Sequence, residues 1–108
     1  MPRQRLKMID KYKVITLCGS TRFKDDFMRA QADLTLKGNI VISVGVFGHS
    51  DIEPTPEQKE MLDDIHKRKI DMSDAIYVIN PNNYIGASTK SEIEYARAHN
   101  KEIMYMYH

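Results

Sequence analysis

Three short apolar runs, each continuous rather than alternating with polar residues, constrain the fold of this chain more than any other feature. They are V-I-T-L-C at 14–18, I-V-I-S-V at 40–44 and A-I-Y-V-I at 75–79. Segments with apolar residues at helical spacing lie between them, at 21–37 and 55–73. Strands buried on both faces have this continuous apolar character, and strands joined by helices pair in parallel. The pattern predicts one α/β domain with a mainly parallel sheet of four or five strands and helices on both faces.

The rest of the chain completes this layout. A third helix is predicted over 89–99 and a last strand over 102–107. Residues 1–13 are polar and are expected to form a loose arm ahead of the domain at 14–108. The apolar residues that we expect the first two helices to bury are Phe23, Phe27, Ala30 and Leu34 in the first and Met61, Leu62, Ile65 and Met72 in the second.

Composition and charge argue against several classes of protein. The 108 residues carry 16 lysines and arginines against 15 aspartates and glutamates, so no basic surface for a nucleic-acid polymer is expected. No apolar run is long enough to span a membrane, and the amino-terminal residues lack the apolar core of a signal peptide. The single cysteine cannot form an internal disulfide, which favours the reducing cytoplasm. No grouping of cysteine, histidine and acidic residues has metal-ligand spacing, so neither a metal nor another cofactor is expected.

A ligand site is predicted at one edge of the sheet. In parallel α/β sheets, ligands bind beyond the carboxyl ends of the strands. Three loops leave the predicted strands on that edge, at 19–22, 45–53 and 80–88, and the glycine and polar residues concentrate in them. His49 and Asp51, in the second of these loops, are candidates for an acid.

The turn C-G-S-T-R after the first strand has two interpretations. Free backbone N–H groups at a helix start, the hydroxyls of Ser20 and Thr21 and the forked cation of Arg22 suit a phosphate. Alternatively, Ser20 or Thr21 only caps the helix, and Arg22 lies in solvent. The spacing matches neither a Walker loop nor a dinucleotide-binding loop, and by itself it favours the cap.

Glu92 is the second candidate, within G-A-S-T-K-S-E-I-E-Y-A at 86–96, where the first turn of the third helix is expected. Thr89-Lys90-Ser91-Glu92 fits a capping box, in which the glutamate bonds to the backbone N–H of Thr89. If the carboxylate instead points toward the ligand edge, the positive end of the helix would keep it ionised as a nucleophile. Spacing alone favours the cap, whereas the position on the ligand edge favours the nucleophile.

Other side chains carry weaker indications. Cys18 is expected to pack as a small buried residue at a strand end, and His66, in H-K-R-K, to lie on a solvated helix face. Phe47, Tyr84 and Tyr95 are candidates to flank a planar base, although aromatic residues more often belong to a core.

Taken together, V-I-T-L-C-G-S-T-R at 14–22 and G-A-S-T-K-S-E-I-E-Y-A at 86–96 resemble the nucleoside 2-deoxyribosyltransferase-like superfamily, which includes the 2′-deoxynucleoside 5′-monophosphate N-glycosidases. The similarity extends over nearly the whole chain from residue 14 onward, with the elements in the same order. The resemblance implies a flavodoxin-like or Rossmann-like fold and a homodimer with site residues shared across the interface. Two positions differ from the family pattern: Glu94 replaces a small residue, and Arg68 replaces an aspartate that assists the sugar and base.

The activity that the resemblance implies is cleavage or transfer of the N-glycosidic bond of a nucleoside or its 5′-monophosphate. Glu92 is then the nucleophile, and Asp71, Asp51 or His49 is the candidate acid. The residues expected to bind the substrate are Gly19, Ser20, Thr21, Arg22, Gly86, Ser88 and Thr89. Two alternatives stay open: a nucleotide-binding module without catalysis, and a small dimeric scaffold whose loops bind nothing.

Overall fold

Strands and helices alternate along the chain in the order that the apolar runs predict. The computed structural model describes residues 11–45 and 53–108. The strands are β1 (Val14–Gly19), β2 (Ile40–Ile42), β3 (Ala75–Ile79) and β4 (Glu102–Tyr105), and the helices are α1 (Lys24–Leu36), α2 (Pro56–Asp71) and α3 (Ala87–Ala98). A short 3-10 turn, Pro81–Asn83, follows β3. Within these described ranges, no helix combines the length and apolar character needed to cross a membrane.

The four strands form one parallel sheet in the order β2-β1-β3-β4. This is the strand order of a flavodoxin-like fold. The chain crosses from β1 to β2 on one side, then returns past β1 to β3 on the other, so the direction of winding reverses between the two central strands. Loops that leave neighbouring strands at such a reversal diverge, and a crevice opens between them. That crevice lies beyond Gly19 and Ile79, which are partners in the β1–β3 register.

Alternate residues of the central strands supply a core to each face of the sheet. Ile15 and Leu17 of β1 pack with α1, where Phe27, Ala30 and Leu34 are buried as expected. The opposite core is formed by β1, β3, α2 and α3, and its buried members are Cys18, Ile70, Ile76, Val78, Ile93 and Ala96. Since successive strand residues point to opposite faces, the last apolar side chain of β1 faces α2 and α3. This confirms that Cys18 is buried at a strand end.

The buried face of α2 differs from the prediction. Met61, Ile65 and Met72 were expected in the core, but their exposed fractions are 53%, 39% and 50%. The inward face is instead the row that contains His66 and Ile70, which are both buried and lie four residues apart. Residue 65 is rotated about 100° from residue 66 and residue 61 about 140° from it, because each residue turns an α-helix by about 100°. The prediction failed because it assigned the core to apolar residues and left the histidine outside.

Beyond β4, hydrogen bonds from one side chain take the place of the backbone hydrogen bonds between strands. The amide nitrogen of Asn80 donates to the carbonyl oxygen of Tyr107 at 3.0 Å, and its amide oxygen accepts from the N–H of Tyr107 at 2.9 Å. Asn80 is nearly fully buried and directly precedes the 3-10 turn. It therefore ties the segment after β4 to the end of β3.

β1 and β3 can approach closely at their carboxyl ends because Gly19 has no side chain. A Cβ built on Gly19 would lie 2.9 Å from both the Cβ and the carbonyl oxygen of Ile79. Contacts this short do not occur in relaxed structures, so any larger residue would push the strands apart. The glycine in the C-G-S-T-R turn thus has a packing role that is independent of any ligand.

We expect the Gly19→Ala variant to lose about 1–3 kcal/mol in the free energy of unfolding, because the added methyl group overpacks the β1–β3 junction. Gly45→Ala is the matched control, since a Cβ at Gly45 meets no atom of residues 11–45 and 53–108 within 4 Å. Both changes reduce the conformational freedom of the unfolded chain equally. The difference between the two variants in the free energy of unfolding therefore reports the contact of the added methyl group with Ile79. Urea unfolding followed by circular dichroism measures it. Equal stability of the two variants would contradict the packing role of Gly19.

Candidate active site

A cavity of about 770 Å³ opens at the carboxyl edge of the sheet, where the reversal of winding places a crevice. One wall is the turn after β1, and the opposite wall is the amino-terminal end of α3. Residues of α2, including Asp63, His66 and Lys69, close a third side. This size is within the usual range for pockets that hold small molecules.

Most of the residues predicted from the sequence to form a site line this cavity. The predicted residues that the structure brings together there are Gly19, Ser20, Thr21, Gly86, Ser88, Thr89 and Glu92. Thr89 is buried, whereas Ser88 is exposed. The two polar loops thus face one another across the cavity.

Arg22, also predicted to bind the substrate, is not among the residues that line the cavity, but it contacts Ser20 and Tyr84, which are. Its Nε donates to the Ser20 hydroxyl at 3.2 Å, its terminal nitrogen donates to the Tyr84 hydroxyl at 3.3 Å, and its guanidinium carbon lies 4.7 Å from the centre of the Tyr84 ring. The alternative in which Ser20 or Thr21 caps the helix is wrong, and so is the helix start that the phosphate interpretation assumed in this turn, because α1 begins only at Lys24 and its N-cap, Phe23, makes no side-chain cap hydrogen bond. Arg22 is exposed, as the alternative expected. The side chains of Ser20 and Thr21 therefore do not cap α1.

Glu92 lies in the second turn of α3, not in the first. The helix begins at Ala87 with Gly86 as its N-cap, two residues earlier than the sequence suggested. Ala is a strong helix former and Gly is tolerated at the N-cap, which explains the earlier start. The capping box between Thr89 and Glu92 is accordingly absent. The expected influence of the helix end on Glu92 also fails, because that effect fades beyond the first turn.

Burial, rather than the helix end, sets the charge of Glu92. It raises the pKa of the carboxyl from its ordinary value to about 7, and the negative charge of Asp63 adds to the shift. A hydrogen bond with Cys18 and the charge of Lys67 oppose it. At neutral pH the carboxyl group is therefore close to half protonated, not held as a permanent anion.

His66 faces Glu92 from the inward side of α2. Its Nε2 lies 3.7 Å from the Glu92 carboxylate oxygen and 3.3 Å from the Cys18 sulfur. The pKa of His66 is lowered to about 4, mainly by burial and in smaller part by the nearby positive charge of Lys69. The expectation that His66 lies on a solvated face is wrong. Because the imidazole is neutral at pH 7, the contact with Glu92 is not an ion pair.

Cys18, His66 and Glu92 together present one sulfur, one nitrogen and one oxygen donor within 4.8 Å of one another. Burial is also the main cause that raises the pKa of the Cys18 thiol well above its ordinary value. The sequence predicted no metal site because these residues come from three separate elements, β1, α2 and α3. Donor types of this kind are those that bind zinc and similar ions.

Asp71, the acid proposed from the sequence, is not part of the cavity. It lies at the carboxyl-terminal end of α2, and a 16-residue helix spans about 24 Å. α2 returns the chain to the amino edge of the sheet, so Asp71 lies far from the carboxyl edge. Its oxygens accept a hydrogen bond from the Tyr95 hydroxyl at 2.6 Å and pair with Arg68 at 3.0 Å. The prediction confused the two ends of one helix.

The side chains at the two positions that differ from the pattern of the resembled family, Arg68 and Glu94, do not line the cavity either. Arg68 is exposed and pairs with Asp64 and Asp71 on the outer side of α2. Glu94 is exposed on α3 and is not among the cavity residues. The side chain of α2 that faces Glu92 is His66. Neither Arg68 nor Glu94 therefore alters the charge of the cavity directly.

The remaining candidates divide into two groups. His49, Asp51 and Phe47 lie outside the described residues. Tyr84 lines the cavity, whereas Tyr95 stacks on His99 with ring centres 4.0 Å apart, away from the cavity.

Sequence reasoning missed His66 and Asp63. The spacing of His66 from Ile70 was a usable signal, because residues four apart share a helix face.

No family model matches the chain, and no curated protein matches it.

Proposed function

We propose that the protein cleaves or transfers the N-glycosidic bond of a deoxynucleoside or its 5′-monophosphate, with Glu92 as the nucleophile. The observation that carries the proposal is the position of Glu92: a mostly buried carboxyl group that opens onto a cavity with a polar turn on each side. The cavity suits a small polar ligand, and a pKa of about 7 leaves roughly half of the Glu92 groups ionised at neutral pH. The resemblance of the two motifs to the deoxyribosyltransferase-like superfamily suggests the substrate class.

In the proposed first step, an oxygen of ionised Glu92 bonds to the anomeric carbon of the sugar while the bond from that carbon to the base nitrogen breaks. The base leaves with the electron pair and takes a proton from solvent. Water, or a second base in the transfer reaction, then attacks the anomeric carbon, loses a proton and releases the Glu92 carboxylate. The positive charge that develops on the sugar is stabilised by the carboxylate in both steps.

The turn after β1 and the start of α3 are the proposed holders of the substrate. The first-turn N–H groups of α3 point toward the cavity end of the helix, and the N-cap Gly86 provides no side chain to occupy them. Arg22 is already held by Ser20 and Tyr84, so its guanidinium is oriented beside these two cavity residues before a ligand arrives. A 5′-phosphate bound there would position the sugar over Glu92.

The Glu92→Gln variant is expected to lose at least about 1,000-fold in turnover, because the amide cannot form the glycosyl ester. Nucleotide-induced thermal stabilisation should survive, since the amide keeps the size of the side chain. Glu94→Gln is the matched control and should retain full activity, because Glu94 is exposed. Release of free base from a panel of deoxynucleosides and their monophosphates, followed by chromatography, gives the rates.

The same experiment separates the alternatives. If the wild type releases no base but is stabilised by nucleotides, the protein is a binding module without catalysis. If it shows neither effect, the scaffold interpretation is correct. Full activity of Glu92→Gln would also overturn the assignment of the nucleophile.

Activity of the metal-free protein should rise with pH through about 7 and then level off, because the nucleophile must be ionised and the pKa of Glu92 is raised to about 7. In Asp63→Asn the rise should shift to lower pH, since a negative charge that raises this pKa is removed. Asp64→Asn is the matched control, because Asp64 pairs with Arg68 on the outer side of α2. The profile of kcat/KM against pH is the measurement. An unshifted profile in Asp63→Asn would contradict the electrostatic account.

We further propose a cytoplasmic setting, which the single, buried and unpaired cysteine favours. The homodimer implied by the resemblance remains part of the proposal. Sedimentation velocity of the purified protein tests the oligomeric state.

A further inference from the structure

We propose that Cys18, His66 and Glu92 form a binding site for a divalent transition-metal ion of the zinc type, and that the bound ion blocks the Glu92 carboxylate. Binding of the ion does not depend on the proposed function, because it rests only on the three donor atoms. The consequence for catalysis does rest on it.

The distances suit one small ion. Zinc lies about 2.0–2.3 Å from nitrogen, oxygen and sulfur donors in tetrahedral sites, so donors of the same site are roughly 3.2–3.8 Å apart. The Cys18 sulfur and His66 Nε2 are separated by 3.3 Å, and His66 Nε2 and the Glu92 oxygen by 3.7 Å. All three atoms lie within 4.8 Å of one another. The flexible stem of Glu92 supplies the remaining adjustment.

Charge balance also favours a divalent cation. A thiolate and a carboxylate together carry two negative charges, and one divalent cation balances both charges in a buried site. His66 is neutral and keeps a lone pair for coordination. The ammonium group of Lys69, which also borders the cavity, donates to the carbonyl oxygen of Ser43 at 2.9 Å. On binding, the Cys18 thiol releases its proton to solvent as the sulfur–metal bond forms, and Glu92 releases any proton that it holds.

The coordination would be incomplete on the cavity side. Three protein donors leave the fourth position of a tetrahedral ion for water, as in open zinc sites. An ion in this place engages the carboxylate that the proposed reaction requires. Metal binding and attack of Glu92 on a sugar are therefore mutually exclusive, and the ion acts as an inhibitor.

Cobalt titration of the chelator-treated, untagged protein tests the site. Co²⁺ should bind in a 1:1 ratio and produce a thiolate-to-cobalt charge-transfer band in the near ultraviolet, and Zn²⁺ should abolish the band by displacement. Cys18 is the sole cysteine of the chain, so the band identifies the ligand even without a variant. Absence of the band at saturating Co²⁺, together with no rise in Tm with Zn²⁺, would overturn the proposal.

Variants then assign the other two ligands. His66→Gln and Glu92→Gln should each weaken Co²⁺ binding by at least the roughly 10- to 100-fold that loss of a second-shell partner costs. His99→Gln is the matched control and should bind normally, because His99 is exposed directly after α3 and stacks on Tyr95. Circular dichroism confirms that each variant is folded. Unchanged affinity in both ligand variants would refute the three-residue site.

Different results would contradict the metal site and the proposed N-glycosidic activity. Cobalt binding without any base release supports the metal site and removes the proposed function. Base release without cobalt binding does the reverse. If both hold, Zn²⁺ should inhibit base release, and a chelator should restore it; base release at saturating Zn²⁺ would show that the ion does not cover Glu92.

Discussion

The close approach of β1 and β3 at Gly19 and Ile79 is the contact on which the candidate site depends. These strands are the centre of the sheet, and the winding of the chain reverses between them. Because a Cβ at Gly19 would collide with Ile79, the strands can end side by side only with glycine at this position. The close pairing fixes Cys18, one residue earlier, against the face that α2 and α3 cover. The convergence of His66 and Glu92 on that point follows from the packing of these two helices.

Desolvation is the second principle that unifies the site. Cys18, His66 and Glu92 are each shifted toward their neutral form, and burial is the largest cause in all three. We have proposed two events at this cluster: ionised Glu92 attacks a sugar, or Cys18 and Glu92 lose their protons to a metal ion. Because burial raises the pKa of both the Cys18 thiol and the Glu92 carboxyl, each proposed event requires the loss of a proton.

The sequence predicted the architecture well and the site only in part. Continuous apolar runs set the strands, and the loops at the carboxyl edge followed from parallel topology, so Ser20, Thr21 and Gly86 were expected at that edge, where they line the cavity. The details of side-chain direction were not accessible in the same way. His66 was assigned to solvent because its neighbours in the chain are charged, whereas burial of a helix residue depends on its rotation about the axis. Asp71 was misplaced although the predicted parallel topology already put the carboxyl-terminal end of this helix at the opposite edge of the sheet from the ligand.

The clamp formed by Asn80 has a consequence for how the protein opens. Asn80 precedes the turn that leads to Tyr84 in the cavity wall, and its side chain holds both backbone groups of Tyr107. Releasing the segment after β4 would leave a buried amide without partners, which costs free energy, so the segment and the turn should detach together. We therefore expect the cavity wall and this segment to open as one cooperative unit, with a common free energy of opening in amide hydrogen exchange.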